Sequence, residues 1–140
     1  MKRYLLDTSL LAAYLQSREP AVHLIAPLIE RHEVATSILV YGEVVEYLKG
    51  LANFGEYKAK LQKLFRLKQI APYPLTYSIL ERYADIRRYL RPLHKDIGDI
   101  DTLIAATALE EHLTLVTIDR DFERVPGLKC KLVNFKRKAA

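Results

Sequence analysis

The chain has 140 residues, of which 50% are hydrophobic and 28% are charged, so one globular domain with its own core is expected over residues 1–140. No stretch approaches the roughly 20 apolar residues of a transmembrane helix, and the early Asp7 argues against a signal peptide. The single cysteine, Cys130, excludes an intramolecular disulfide and a thiolate zinc site, so a reducing, cytoplasmic location is expected.

The first third of the chain predicts a strand followed by two helices. RYLL (3–6) has the composition of a short buried strand, and TSLLAAYL that of a helix capped by Thr8 or Ser9. A second helix is expected over about 20–32, with a kink at Pro27. A strand followed directly by a helix is the first half of a βαβ unit.

The middle of the chain repeats this alternation. VATS (34–37) predicts a strand, Ser37 is placed to cap the helix ILVYGEVVEYLKG, and Gly50 is placed to end it. A basic amphipathic helix is expected within 56–68, with an apolar stripe of Tyr57, Leu61, Leu64 and Phe65. The two prolines of IAPYPL limit the next strand to a short one.

The last third predicts two more helices and two more strands. Ser78 and Glu81 have capping-box spacing before a helix that carries Ile79, Tyr83, Ile86 and Leu90 toward Pro92. Asp99 is placed to cap the apolar helix DTLIAATALEEH, and LTLVT (113–117) and KLVNF (131–135) are predicted strands. Strands that alternate with helices throughout predict a three-layer α/β/α domain with a short parallel sheet.

Acidic residues follow two of these strands. YLLD places Asp7 directly after the first strand, and LVTID places Asp119 close behind a later one. Glu43 lies about two turns into the helix after VATS, and Asp101 lies in the first turn of the apolar helix. Because ligands of open parallel sheets bind beyond the carboxyl ends of the strands, these four carboxylates are expected to meet there.

Several carboxylates in one pocket require a cation. Two unit charges about 4 Å apart repel by roughly 4 kcal/mol at an effective dielectric of 20. Oxygen ligands favour Mg²⁺ or Mn²⁺ over zinc, and the scattered histidines are interpreted as structural or surface residues: His23, His32, His94 and His112. Taken singly, each acid has a structural explanation as a helix cap, a macrodipole partner, a turn former or a surface charge.

In this order, the motifs resemble those of the PIN-domain family of metal-dependent ribonucleases, and more narrowly of the VapC toxins of toxin–antitoxin pairs. YLLDTS, VYGEVVEYLKG, DTLIAATAL and LVTIDRDF are similar to the four family segments that carry acids. The resemblance assigns catalysis and metal binding to Asp7, Glu43, Asp101 and Asp119. The family often has asparagine where Asp119 stands and an acid farther along, so Asp121 is an alternative ligand.

The resemblance also implies a function and partners. It implies Mg²⁺- or Mn²⁺-dependent hydrolysis of RNA phosphodiester bonds, a cytoplasmic homodimer and a cognate antitoxin protein. Thr8, Ser9 and Thr117 are candidates to contact phosphate or water. The basic run 58–68, together with Arg87, Arg88 and Arg91, is a candidate track for RNA phosphates, and a basic tail is expected at about 136–140.

Three other functions fit parts of the pattern. A PIN domain that binds RNA without cutting it, or a nuclease of RNA maturation, would have the same fold. A phosphatase or phosphotransferase could also place an aspartate after a strand. However, the haloacid-dehalogenase pattern needs a second acid where Ser9 stands, and a receiver domain needs a pair of acids near the first strand.

Overall fold

A parallel sheet organises the computed structural model, which describes residues 1–134. Its five strands, all parallel, run in the order β3-β2-β1-β4-β5. The strands are β1 Tyr4–Leu6, β2 Val34–Ser37, β3 Ile70–Tyr73, β4 Thr114–Thr117 and β5 Cys130–Leu132. The predicted three-layer α/β/α architecture is confirmed. The last strand ends at Leu132, short of the predicted end at Phe135, and Phe135 and the basic tail lie outside the described residues.

Six α-helices connect the strands. They are α1 Thr8–Leu15, α2 Ala21–Glu30, α3 Ile38–Lys49, α4 Phe54–Arg66, α5 Tyr77–Leu90 and α6 Asp99–Glu110. Pro27 lies inside α2, and the helix continues past it to Glu30. Two short 3₁₀ helices span Arg91–Leu93 and Arg120–Arg124. Within residues 1–134 no helix is long and apolar enough to cross a bilayer.

The central strands and α6 form the buried core. Leu5 and Leu6 of β1 are fully buried, and every residue of β2 is buried. Five consecutive residues of α6, from Ile104 to Ala108, have no exposed surface, as its apolar sequence predicted. The carboxyl ends of β1, β2 and β4 are therefore held by packed elements rather than by mobile loops.

The predicted caps at both ends of α3 are confirmed, and the predicted N-cap of α1 is wrong. The Ser37 hydroxyl oxygen accepts a hydrogen bond from the backbone N–H of Leu39 at 3.1 Å, and Gly50 ends α3. The residue that caps α1 is Asp7 rather than Thr8 or Ser9, because Asp7 still has extended backbone torsions and Thr8 is already helical. The helix therefore starts one residue before the sequence pattern indicated.

Two further caps differ from the predictions for the same reason. Thr76 keeps an extended backbone, and its hydroxyl oxygen accepts from the N–H of Ile79 at 3.2 Å, so Ser78 already lies inside α5. At α6 the N-cap position is Gly98, and Asp99 lies in the first turn. Its carboxylate pairs there with Arg87 of α5.

Replacing Thr76 with alanine is expected to lower the free energy of unfolding by about 1 kcal/mol, because an N–H of the first turn loses its acceptor. The matched variant Ser78→Ala is expected to change it by less than about 0.5 kcal/mol, since Ser78 is exposed within the helix. Urea denaturation of both variants measures the difference. Equal losses would contradict the assignment of Thr76 as the cap.

Candidate active site

An open cavity of about 550 Å³ lies at the carboxyl edge of the sheet. It is lined by the four predicted acids, Asp7, Glu43, Asp101 and Asp119, and by Thr8, Ser9, Ile118 and Arg120. Each acid comes from a different part of the chain: the end of β1, α3, the start of α6 and the segment after β4. The fold therefore brings together the acids that the sequence motifs single out.

Asp7 is the most buried of the four acids, with 7% of its surface exposed. One carboxylate oxygen accepts from the backbone N–H of Thr8 at 2.8 Å, and the other accepts from the hydroxyl of Thr117 at 2.8 Å. Burial raises the pKa of Asp7; the bonds from Thr117 and Thr8 oppose that rise, whereas the charges of Glu43 and Asp119 add to it. Asp7 is thus fixed in orientation and surrounded by other negative charge.

Glu43 is linked to Asp7 through one residue. The hydroxyl of Thr8 donates to a carboxylate oxygen of Glu43 at 2.6 Å, while the N–H of Thr8 donates to Asp7. Val40 and Val44 of the same helix are fully buried and fix the orientation of α3. In this orientation Glu43 lines the cavity. Glu46, one turn farther along, is exposed and does not line the cavity.

Asp101 reports the electrostatics of the cavity. Its pKa is raised to about 6, first by desolvation and then by the charges of Asp7, Glu43, Asp119 and Asp121. A shift of this kind arises when a carboxylate is partly desolvated and other carboxylates lie close by. Among the described residues that line the cavity, Arg120 is the one base.

The structure distinguishes the two acids of TIDRDF. Asp119 lines the cavity and caps the 3₁₀ helix, where its carboxylate accepts from the N–H of Asp121 at 2.9 Å. Asp121 does not line the cavity and pairs with Arg124 at 3.2 Å. The position of Asp119 therefore fits a ligand role better than that of Asp121.

Thr117 acts differently from the phosphate contact expected of it. Its side chain is fully buried at the end of β4 and does not line the cavity. Its hydroxyl donates to Asp7 and accepts from the backbone N–H of Asp119 at 3.1 Å. Thr117 is therefore a positioning residue for two acids, whereas Thr8 and Ser9 do line the cavity.

Thr117→Val is expected to lower any activity of this site about tenfold, because both Asp7 and the N–H of Asp119 lose a partner while the shape is kept. Thr117→Ser retains the hydroxyl and should retain most of the activity. Cleavage rates of both variants, with thermal unfolding as a check of the fold, measure the effect. Equal rates for valine and serine would exclude a positioning role.

The acids fit a hard divalent cation by their chemistry. They offer carboxylate oxygens only, which Mg²⁺ and Mn²⁺ prefer, and desolvation followed by the charges of the other acids raises the pKa of Asp101. Within residues 1–134, no three Asp, Glu, His or Cys side chains are close enough to form an assembled metal cluster. In this arrangement the hydroxyls of Thr8 and Thr117 donate hydrogen bonds to Glu43 and Asp7.

All four histidines are exposed, and none lines the acidic cavity. His32, His94 and His112 follow helices in the left-handed conformation, with φ of 56°, 54° and 56°. Such residues end a helix in the way that glycine usually does. Their positions agree with the interpretation of the histidines as surface or structural residues.

Two lining residues were not predicted from the sequence, Ile118 and Arg120. Both are sequence neighbours of Asp119, and this adjacency was the one feature of the motif that could have indicated them. Their side-chain directions depend on the end of β4 and the turn into the 3₁₀ helix, which the motif does not specify.

Comparison with known families identifies the fold. Residues 4–128 match the PIN domain family. The chain belongs to the PIN-domain family. PIN domains are in general nucleases, and PIN nucleases typically use divalent metal ions. Comparison with curated proteins finds no matching relative.

This PIN domain is similar to several solved structures. In VapBC2 from Rickettsia felis bound to a promoter DNA fragment, the identity is 23%, over 92% of this chain and 97% of that chain, with a TM-score of 0.79. For DNA-bound VapBC from Salmonella typhimurium the identity is 19%, over 94% of this chain and 98% of that chain, with a TM-score of 0.80. For VapBC-5 from Mycobacterium tuberculosis the identity is 20%, over 96% of this chain and 100% of that chain, with a TM-score of 0.64. At these identities the shared property is the fold.

Proposed function

We propose that this PIN domain is a Mg²⁺-dependent endoribonuclease and the toxin of a VapBC-type toxin–antitoxin pair, with Mn²⁺ as a substitute ion. The observation that carries the proposal is the meeting of Asp7, Glu43, Asp101 and Asp119 in one open cavity. The structural similarity to VapBC complexes supports the toxin assignment. The four acids are the proposed metal ligands and catalytic residues.

Residues of the chain prepare the site for phosphodiester hydrolysis. Thr8 and Thr117 orient the carboxylates of Glu43 and Asp7 before substrate arrives. Arg120, whose side chain is 83% exposed, lies where it can contact a phosphate oxygen at the rim. When bound, a divalent cation supplies Lewis-acid activation of water and neutralises charge on the phosphate.

A mixed cellular RNA pool tests the proposal. Purified protein is expected to produce fragments with Mg²⁺ and none with excess EDTA, because the carboxylates alone would repel the phosphate. The fragment ends would then define the cleavage sequence. If no condition gives cleavage while the protein still retains RNA, the non-catalytic RNA-binding function replaces this one. Fragments confined to one precursor RNA would favour a maturation nuclease.

RNA binding by the inactive variant Asp101→Asn is expected to weaken steeply with salt. The exposed bases of α4 include Lys63 and Arg66, and the exposed Arg88 and Arg91 lie at the end of α5. If three or more phosphates are neutralised, affinity falls roughly tenfold or more between 50 and 200 mM salt. Fluorescence anisotropy measures the slope, and a flat response would contradict an electrostatic RNA track.

We also propose a cytoplasmic homodimer that an antitoxin protein holds inactive. Large apolar side chains on and after α5 are exposed and could serve such contacts: Tyr77, Leu80, Tyr89 and Leu93. Multi-angle light scattering would give a mass of twice 16.1 kDa for the dimer. A mass of 16.1 kDa at micromolar concentration would instead indicate a monomer.

A further inference from the structure

A second cavity adjoins the acidic one. It has a volume of about 360 Å³ and is lined by Ile118, Arg120, Leu132, Val133 and Asn134. We call it the β5 cavity, because three of these residues lie at or just after the end of β5. Ile118 and Arg120 line both cavities, so the two share a wall.

The sheet register explains why the two cavities are neighbours. Thr117, the last residue of β4, pairs with Leu132, the last residue of β5. The residues that follow both strands therefore emerge side by side at the carboxyl edge. The segment after β4 delivers Asp119 to the acidic cavity, and the segment after β5 delivers Asn134 to the β5 cavity.

The two cavities differ in chemistry. The acidic cavity is lined mainly by carboxylates and hydroxyls, whereas Ile118, Leu132 and Val133 give the β5 cavity apolar walls. Asn134 adds an amide with both donors and an acceptor, and Arg120 adds a planar guanidinium. The side chain of Asn134 is exposed, so a ligand can reach it.

These groups match the requirements of one unpaired nucleobase. Bases of single-stranded RNA stack on apolar or guanidinium surfaces, and an amide can hydrogen-bond to their edges. A volume of 360 Å³ lies within the range of small-molecule pockets, roughly 300–1,000 Å³. The apolar walls of the β5 cavity suit a nucleobase better than a phosphate. A nucleotide could therefore place its phosphate at the acids and its base in the β5 cavity.

We propose that the β5 cavity binds the base of a nucleotide next to the scissile phosphate and so gives the nuclease its sequence preference. Arg120 lies between the subsites and contacts the phosphate or the base of the same nucleotide. Asn134 determines the specificity by bonding to the base edge. The inference rests on the proposed ribonuclease function and adds the subsite that selects the cut.

Cleavage of a randomised RNA oligonucleotide library, followed by sequencing of the fragment ends, tests the proposal. Wild-type protein is expected to prefer one base at a single position beside the cut. Asn134→Ala should reduce that preference roughly tenfold while Mg²⁺-dependent cleavage persists. The matched control is Asn53→Ala, since Asn53 lies before α4 and makes no side-chain cap bond; it should keep the wild-type preference.

The outcomes separate this inference from the proposed function. If wild type cleaves with a preference that Asn134→Ala leaves unchanged, the β5 subsite is wrong and the nuclease stands. If wild type cleaves no RNA, the affinities of wild type and of Asn134→Ala for single-base homopolymers are compared to test the β5 subsite. A base-dependent loss in Asn134→Ala would support the subsite in a binding protein, and equal affinities would overturn both proposals.

Discussion

Asp101→Asn is expected to lower RNA cleavage by roughly three orders of magnitude while the fold is retained. The change removes one of the four carboxylates of the acidic cavity and with it, under the proposed function, a charged ligand for the cation. Unfolding should not follow, because Asp101 is half-buried at the start of a helix and the amide has nearly the same size. Initial cleavage rates at saturating Mg²⁺, with circular dichroism spectra of both proteins, measure the effect.

Two acids outside the cavity provide matched controls. Glu46→Gln and Asp121→Asn each remove one negative charge close to the site, but neither side chain lines the cavity. Both variants are expected to cleave within about threefold of the wild-type rate, because a solvent-exposed charge beside the cavity is partly screened. A loss in Asp121→Asn as large as that in Asp119→Asn would assign the fourth ligand differently.

Magnesium at about 100 times its dissociation constant is expected to raise the free energy of unfolding by about 2.7 kcal/mol near pH 7.5. At pH 5 the same addition should stabilise by only about 1.4 kcal/mol, because the pKa of Asp101 in the folded protein is about 6 and proton competition then weakens binding about tenfold. Chemical denaturation at both pH values, with and without Mg²⁺, measures the difference. Equal stabilisation at pH 5 would show that Asp101 is no ligand.

The pKa of Asp101 also predicts how the metal-free protein responds to pH. The folded state holds this proton more tightly than the unfolded chain, with a pKa of about 6 against 3.8. Stability contributed by the group is therefore lost as pH rises from about 4 to 6, and the full cost is present above 6. After allowance for solvent screening of this half-exposed group, the cost is about 1 kcal/mol.

Asp101→Asn should remove that pH-dependent cost. Without metal at pH 7.5 the variant is expected to be about 1 kcal/mol more stable than wild type, and the two should converge near pH 4. Magnesium should also stabilise the variant less than it stabilises wild type. A metal-free variant that is less stable than wild type at pH 7.5 would contradict the electrostatic strain in the cavity.

The acids of the site were predictable because sequence and topology constrain them together. Asp7 and Asp119 follow short apolar segments of strand length, and the carboxyl ends of parallel strands meet at one edge. Asp101 lies in the first turn of α6, Glu43 lies about two turns into α3, and both helices leave this edge. Their convergence follows from the alternation of strands and helices, which a single sequence displays.

The hydrogen bonds that orient the acids were not predictable in the same way. The role of Thr117 depends on the direction of one buried hydroxyl, and the caps at Asp7 and Thr76 depend on which residue first takes helical torsions. A one-residue difference at a helix start changes the capping residue without changing the sequence pattern. The β5 cavity depends on strand register, since Leu132 reaches the site edge only by pairing with Thr117.

The bond between Thr117 and Asp7 joins positions 110 residues apart, and β4 enters the sheet directly beside β1. During translation, β1 is made first but one of its edges stays unpaired until residues 114–117 have left the ribosome. Pairing strands so far apart in the sequence costs more chain entropy than a local contact does. A chain that ends before residue 114 therefore lacks the hydroxyl that orients Asp7, and under the proposed function it would not form the complete active site.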